Sequence, residues 1–329
     1  MRTKNTPILM LTAPLLGALV APHVAAAQDS NIMQSIPQIE ELFEYHEFKV
    51  IQIRGSRAEG DRTYNATLNF DDGTMLQAKI APAPKGGGDF NNRPRYEIGA
   101  YETQKLFIEN AADYVVPPTL GRCLPLDFAR ETMSEYLEPT FDDWRMVLTV
   151  MQYWLWNAEP SGRNPRDFLD EDRFESDEAY RRHMANFNLL TYLIHHGDSN
   201  EGNFLRSVDP NNPRVFAVDN GISFMFEESD RGTYWRDLHV EMLPRASVER
   251  LRSLTEQDYH DALGVIAQFE LDGGQMKSVE PTANLNPGQG IRRAGDVLQL
   301  GLTDREIRNV IRRATDVLKD VDQGKIELF

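Results

Sequence analysis

Cysteine is almost missing from this 329-residue chain, which contains only Cys123. A single cysteine excludes an intrachain disulfide and a thiolate metal cluster. Basic residues are also few: 35 Lys and Arg stand against 51 Asp and Glu, for a formal net charge of −16. Non-specific binding to nucleic acid or to anionic lipid depends on basic patches. We therefore expect no nucleic-acid partner.

Long apolar runs are missing after the first 27 residues. Residues 1–27 begin with two basic residues, continue with an apolar stretch and end in three alanines before Gln28. This order predicts a removable export signal. The alternative is an N-terminal membrane anchor, but a span needs about 20 apolar residues, and this run is shorter and interrupted by prolines. We expect an exported bacterial protein, periplasmic or secreted, with no membrane span after signal removal.

The remaining chain has the composition of a globular protein, at 41% hydrophobic and 26% charged. Its first part alternates like strands, with the tight-turn sequence Asp71-Asp72-Gly73 between two of them. A helix is predicted over 94–110. The predicted strands cover 48–53, 63–70, 75–81 and 129–136.

Helical spacing dominates the second part of the chain. Helices are predicted over 144–155, 177–194 and 303–319, the last with Thr303 as its N-cap. The same spacing assigns Trp154 and Trp156 to core packing. We therefore predict a two-lobed α+β fold, with a signal peptide (1–27), a small strand-rich lobe (28–139) and a larger, mainly helical lobe (140–329).

Two polar motifs in the helical part carry the chemistry. His196-Gly197-Asp198 is followed by Asn203, and an apolar stretch later ends at Asp219-Asn220-Gly221. A hairpin around residues 210–213 would return Asp219 to Asn203. Phosphoryl transfer needs a carboxylate that orients the attacking hydroxyl and hard oxygen ligands for Mg²⁺ or Mn²⁺. Taken singly, each motif is also typical of a turn, and the histidines are typical of structural residues.

These motifs are similar to the catalytic and metal-binding loops of the protein-kinase-like superfamily. His196-Gly197-Asp198 resembles the aminoglycoside and choline phosphotransferases. Asp219-Asn220-Gly221 resembles the phosphatidylinositol kinases and the secreted kinases that phosphorylate casein and proteoglycan xylose. The secreted family is also similar upstream, at 76–79, 96–101 and 116–122, so the resemblance covers 48–224.

The resemblance implies roles for individual residues. Asp198 would be the catalytic base, and Asn203 and Asp219 would bind the metal. Lys79 would bind the nucleotide phosphates.

Two further assignments concern the nucleotide-binding lobe. Glu97 would pair with Lys79 or reach the metal, with Glu102 one turn later as its rival. Tyr136 and Leu137 would form the hinge that meets the adenine.

The sequence also departs from the family patterns. It has no Arg before Asp198, no Asp-Phe-Gly, no later Ala-Pro-Glu and none of the cysteines of the secreted family. The glycine loop is reduced to Gly55 and Gly60. These departures argue against an ordinary regulated protein kinase.

The sequence thus predicts an enzyme that uses ATP or another nucleoside triphosphate, with Mg²⁺ or Mn²⁺, to phosphorylate a hydroxyl-bearing protein, sugar or small molecule. Three alternatives remain open. They are a pseudokinase that binds nucleotide without turnover, a nucleotidyl (AMP) transferase that uses the same residues, and an exported structural or interaction protein.

Overall fold

The computed structural model describes residues 29–56, 62–89, 92–160, 162, 164–225 and 229–329. The predicted signal peptide lies outside these residues, and so does Gly60 of the reduced glycine loop. Within the described ranges, no helix combines the length and the apolar character that crossing a bilayer requires.

The first part of the chain forms an antiparallel five-stranded sheet preceded by helix α1 (Ile36–Tyr45). The strand order is β1-β2-β3-β5-β4. The turn between β2 and β3 uses Gly73 at φ +87°, in the left-handed region that favours glycine. The strands predicted over 48–53, 63–70 and 75–81 are confirmed. The sheet consists of β1 (Phe48–Gly55), β2 (Tyr64–Phe70), β3 (Met75–Pro82), β4 (Thr119–Pro125) and β5 (Met146–Tyr153).

Helix α2 (Pro94–Lys105) connects β3 to β4. It ends earlier than the predicted 94–110, because the next residues leave the helix and enter the core. The buried Gln104 side chain fixes the returning chain: its Oε1 accepts from the backbone N of Val115 and of Val116 at 2.8 and 2.9 Å.

Two predicted elements are wrong. The strand expected over 129–136 is helix α3 (Leu126–Thr132) followed by a turn, and the helix expected over 144–155 is strand β5. All eight residues of β5 are buried. A strand buried on both faces is apolar throughout, so its pattern also matches helical spacing by coincidence. The first sheet therefore continues to Tyr153, past residue 139, where the sequence analysis placed the lobe boundary.

The helices of the second part begin with side-chain caps at two predicted places. Asp177 accepts from Tyr180 N at the start of α5, and Thr303 and Glu306 form a capping box on α8. The helices predicted over 177–194 and 303–319 are confirmed. The helices are α4 (Glu171–Ser176), α5 (Glu178–Leu193), α6 (Arg245–Ser253), α7 (Glu256–Leu263) and α8 (Asp304–Asp322).

Short strands complete the second part. β6 (Ala158–Pro160), β7 (Phe204–Ser207) and β8 (Val215–Ala217) form an antiparallel sheet, and β9 (Met242–Leu243) pairs with β14 (Glu327–Leu328). A four-stranded sheet, which the sequence analysis did not predict, has the order β11-β10-β13-β12. It consists of β10 (Ala267–Asp272), β11 (Gln275–Val279), β12 (Ile291–Ala294) and β13 (Val297–Leu300).

This second sheet packs against the first part of the chain. Phe269 of β10 and Leu298 of β13 share a buried cluster with Ile98 of α2 and Cys123 of β4. The predicted α+β architecture, a small antiparallel sheet joined to a larger helical part, is confirmed, with the addition of this sheet.

Candidate active site

Strand β3 presents Lys79 at the junction of the two parts. Its ammonium forms an ion pair with Asp219 Oδ1, which lies 140 residues later in the sequence. The Lys79 side chain is 17% exposed and that of Asp219 is 52% exposed. Lys79 faces Gln152 across the sheet, and Gln152 faces Thr119, so all three side chains point to the same face.

Helix α2 contributes Glu97 to the same place. Glu97 Oε2 accepts a hydrogen bond from the backbone N of Asn220, next to Asp219, at 2.9 Å. Glu102 points elsewhere: its carboxylate accepts from Lys105 Nζ at 2.8 Å, and Lys105 also contacts Glu40 of α1. Burial raises the pKa of Glu102. Of the two rival glutamates, Glu97 is therefore the one at the site.

The loop after α5 carries Asp198 and Asn203. It begins at His195, whose φ of +55° reverses the chain direction. Asn203 Nδ2 donates to Asp198 Oδ2 at 3.0 Å and to the Asp198 backbone oxygen at 3.2 Å. The predicted hairpin exists as β7 and β8, and Val218 N donates to Asn203 O at 2.9 Å. The hairpin thus holds Asp219 beside Asn203.

Asp219 has an uncommon backbone conformation, with φ +54°. Aspartate is one of the few non-glycine residues that enter the left-handed region with some frequency. Such conformations cost about 1–3 kcal/mol and concentrate at functional sites, where surrounding bonds maintain them. Here the bonds to Lys79, and from the neighbouring Asn220 N to Glu97, fix the orientation of this segment.

His196 supports the loop from inside. Its ring is fully buried, lies 5.2 Å from the Phe204 ring and accepts a hydrogen bond on Nδ1 from Asp198 N at 3.3 Å. Burial lowers the pKa of His196 to about 4, so the ring is neutral near pH 7. A neutral imidazole with a free Nδ1 lone pair is what the Asp198 amide needs.

Ser229, the second partner of Asp198, was not predicted from the sequence. Ser229 Oγ donates to Asp198 Oδ1 at 2.6 Å. No recognised motif covers the chain after Asp219-Asn220-Gly221, so no sequence signal marked this serine. Its position depends on a long-range contact between two loops.

Tyr136 and Leu137 are not brought to this site. They lie in the turn after α3, and Leu137 is buried beside Val147, at the opening end of β5. Lys79 pairs with Gln152, five residues further along β5, a separation of roughly 17 Å. Tyr136 is 84% exposed. The hinge prediction fails because it depended on a strand over 129–136 that is a helix and a turn.

The oxygen donors suit a hard divalent cation. Asp219 offers its carboxylate and Asn203 its side-chain carbonyl, the donor types that Mg²⁺ and Mn²⁺ prefer. The described residues contain no group of three His, Cys, Asp or Glu arranged to hold a metal by themselves. Mg²⁺ is commonly held by one or two protein ligands together with nucleotide phosphates. The donor set therefore fits a cation that arrives with a nucleotide.

No protein-family model and no curated protein matches the chain. Among solved structures, the chain is similar to a structure of hydra Fam20 with sugar. The two chains are 14% identical, the similarity covers 88% of each, and the TM-score is 0.49.

Proposed function

We propose that this protein is a metal-dependent phosphotransferase that moves the terminal phosphoryl group of a nucleoside triphosphate, such as ATP, to a hydroxyl. One observation carries the proposal. The loop after β8 contacts both Lys79 of the first sheet, through Asp219, and Glu97 of α2, through the Asn220 amide. Asn203 connects the start of this loop to Asp198. A structural loop does not need this many polar groups to converge from separate elements.

The residues divide the chemistry between them. Lys79 binds the phosphates, and its charge also faces the Asp219 carboxylate. Asp198 accepts the hydrogen bond of the acceptor hydroxyl and takes its proton as the oxygen attacks phosphorus. The bond between that phosphorus and the bridging oxygen breaks, and the nucleoside diphosphate leaves. Asn203 holds the Asp198 carboxylate in position through the 3.0 Å bond to Oδ2.

Asn203 and Asp219 would hold the divalent cation, and Glu97 would orient Asp219 through the Asn220 amide. A bound cation would supply positive charge that neutralises the phosphates. The ion pair with Lys79 uses Oδ1 of Asp219, so Oδ2 of the same carboxylate is the oxygen that would face the cation.

Trp154 replaces Tyr136 and Leu137 as the proposed contact for the nucleobase. Trp154 N donates to Gln77 O at 3.0 Å, so the pairing of β3 and β5 continues to this residue. Side chains alternate along a strand, which places Trp154 on the same sheet face as Gln152 and Lys79. Trp154 is 42% exposed and Trp156 is 43% exposed, so the assignment of both to core packing is wrong. An exposed aromatic ring on the face that carries the phosphate-binding lysine suits stacking with a base.

The cellular setting remains part of the proposal. The basic, apolar and small-residue order of residues 1–27 supports export to the periplasm or the medium of a bacterium. The acceptor is a hydroxyl-bearing molecule, for which residues in the second part of the chain would provide the contacts.

Thermal unfolding with ATP and Mg²⁺ or Mn²⁺ tests the function directly. A ligand at a hundred times its Kd stabilises the folded state by about 2.7 kcal/mol, which raises the Tm. We expect a metal-dependent rise that is lost in Asp219→Ala and kept in Asp261→Ala, a matched change on the exposed face of α7. Intact-mass analysis of products then separates phosphoryl from nucleotidyl transfer. Absence of any Tm change with any nucleotide would refute the proposal.

A further inference from the structure

Ser229 places a hydroxyl of the chain itself against the proposed base. Its Oγ donates to Asp198 Oδ1 at 2.6 Å, while Asn203 Nδ2 occupies Asp198 Oδ2 at 3.0 Å. A general base acts on a hydroxyl within about 2.6–3.2 Å. The Ser229 hydroxyl therefore lies, relative to Asp198, in the position that the hydroxyl of an acceptor would occupy.

Main-chain bonds fix this arrangement. Ser229 N donates to Gly197 O at 2.8 Å, and Ser199 N donates to Gly232 O at 2.8 Å, so the turn 229–232 lies along the Asp198 loop. Within the turn, Arg231 N donates to Ser229 Oγ at 3.2 Å. The backbone bonds position Ser229, and the bonds of its Oγ to Arg231 N and Asp198 hold the hydroxyl in place. Ser229 is also only half-buried.

We propose that Ser229 is a self-phosphorylation site, modified within its own chain. The proposal rests on the proposed function, because it uses the same nucleotide and the same base. Ser229 Oγ attacks the terminal phosphorus of the nucleoside triphosphate and its proton passes to Asp198 Oδ1. The bond from that phosphorus to the bridging oxygen breaks, and the nucleoside diphosphate leaves with the electron pair.

The product changes the electrostatics of the site. Phosphoserine carries about −1.5 to −2 charges at pH 7 and would stand against the Asp198 carboxylate. Repulsion between these groups breaks the Ser229–Asp198 contact. Self-phosphorylation therefore ends after one event per chain and leaves Asp198 free for a hydroxyl from another molecule.

The experiment follows the intact mass of residues 28–329 during incubation with ATP and Mn²⁺ or Mg²⁺. We expect a single gain of about 80 Da, the mass of one phosphoryl group, located on Ser229 by peptide mapping. The gain is absent from Ser229→Ala and Asp198→Asn. It is retained in Ser229→Thr, which keeps a hydroxyl, and in Ser253→Ala, a matched exposed serine at the end of α6.

Two measurements in the same samples separate this inference from the proposed function. Nucleotide binding and release of nucleoside diphosphate are recorded beside the mass. Binding and diphosphate release without a mass gain on Ser229 overturn self-phosphorylation and leave the phosphotransferase intact; so does a gain located at another residue. A rate constant that rises with protein concentration overturns modification within one chain. Absence of nucleotide binding overturns both.

Discussion

Glu97 and Glu102 are separated by little more than one turn of α2, yet their surroundings are opposite. Glu97 bonds to the backbone beside Asp219, whereas Glu102 joins Lys105 and Glu40 at the contact between α2 and α1. The sequence spacing allowed either glutamate to face the site, since one turn of a helix does not fix its rotation. Packing of Ile98 against the second sheet decides the rotation.

The two glutamates should respond differently to neutralisation. Glu97→Gln weakens a charge-assisted hydrogen bond to the Asn220 amide, worth about 1.5–3 kcal/mol, so kcat/KM should fall about 10- to 100-fold. Glu102→Gln should leave kcat/KM within about twofold and alter the Tm instead. Steady-state kinetics with a melting curve for each variant provide the measurement. Equal losses of activity in both variants would contradict the assignment of Glu97.

Trp154 and Tyr136 offer a second matched pair, because both are exposed aromatic residues, and Tyr136 was the residue predicted from the sequence to meet the adenine. Stacking of a base on an aromatic ring is worth about 1–3 kcal/mol. Trp154→Ala should therefore raise the KM or Kd for ATP by about 10-fold or more, with little change for inorganic triphosphate. Tyr136→Ala should change neither value. The opposite ranking would restore the 135–138 turn as the hinge.

At the scale of elements, the sequence identified the parts that have a local signal. Turn residues marked the β2–β3 hairpin, helical spacing marked α5, and an N-cap marked α8. The wrong helix assignment over 144–155 has a cause that is not local. β5 is the strand between β3 and β4, buried on both faces, and only its neighbours distinguish it from a buried helix.

The candidate site follows the same division. Asp198, Asn203 and Asp219 lie within one loop and one hairpin, so their spacing in the sequence was enough to predict that they converge. Ser229 reaches the site through a contact between separate loops, for which the sequence holds no periodic signal. Trp154, proposed to contact the nucleobase, shares a sheet face with Lys79 only because β3 and β5 pair.

A largely buried ion pair connects helix α2 to helix α8. Both terminal nitrogens of Arg95 bond to Glu306, at 2.6 and 2.9 Å, and Tyr96 OH bonds to the same carboxylate. Burial opposes ionisation of Glu306, but the bonds from Arg95 and from the backbone N of Thr303 hold the pKa of Glu306 below its usual range. Glu306 also completes the capping box with Thr303.

Removal of this carboxylate should be costly. Glu306→Ala leaves the Arg95 charge without its partner and removes half of the capping box, so the free energy of unfolding should fall by about 3–5 kcal/mol. Asp320→Ala removes the partner of Lys325 in an exposed pair and should cost at most about 1 kcal/mol. Urea unfolding of the two variants and the parent measures both values. Similar losses in both variants would show that Arg95 does not depend on Glu306.

At the scale of the whole molecule, two buried histidines make stability depend on pH. Burial lowers the pKa of His196 to about 4 and that of His183 to about 3, and neighbouring Arg214 and Arg182 add to the effect on His183. The ordinary value is 6.5. Between pH 6.5 and about 4 the unfolded chain binds protons at these positions that the folded chain does not bind. Stability is therefore complete above pH 6.5 and falls as the pH falls through this window.

Each histidine should lower the free energy of unfolding by at most about 2 kcal/mol between pH 7.5 and pH 5. Glu102, whose pKa burial raises, changes stability in the opposite direction as the pH falls, so a single unfolding curve cannot isolate the histidines. Comparison with His196→Asn can, because asparagine offers an oxygen where Nδ1 accepts from Asp198 N but does not titrate. The loss of unfolding free energy from pH 7.5 to 5 should be smaller in this variant by about 2 kcal/mol.

His46 supplies the control with the opposite sign. It is partly exposed and its bond to Asp71 raises its pKa, so its contribution to stability is present at low pH and is lost as the pH rises. His46→Asn should therefore leave the acid loss in place or make it slightly larger. If His196→Asn lost as much stability between pH 7.5 and 5 as the parent, the His196 ring would be protonated without penalty in the fold. The interpretation that a neutral His196 ring stabilises the Asp198 loop would then also be wrong.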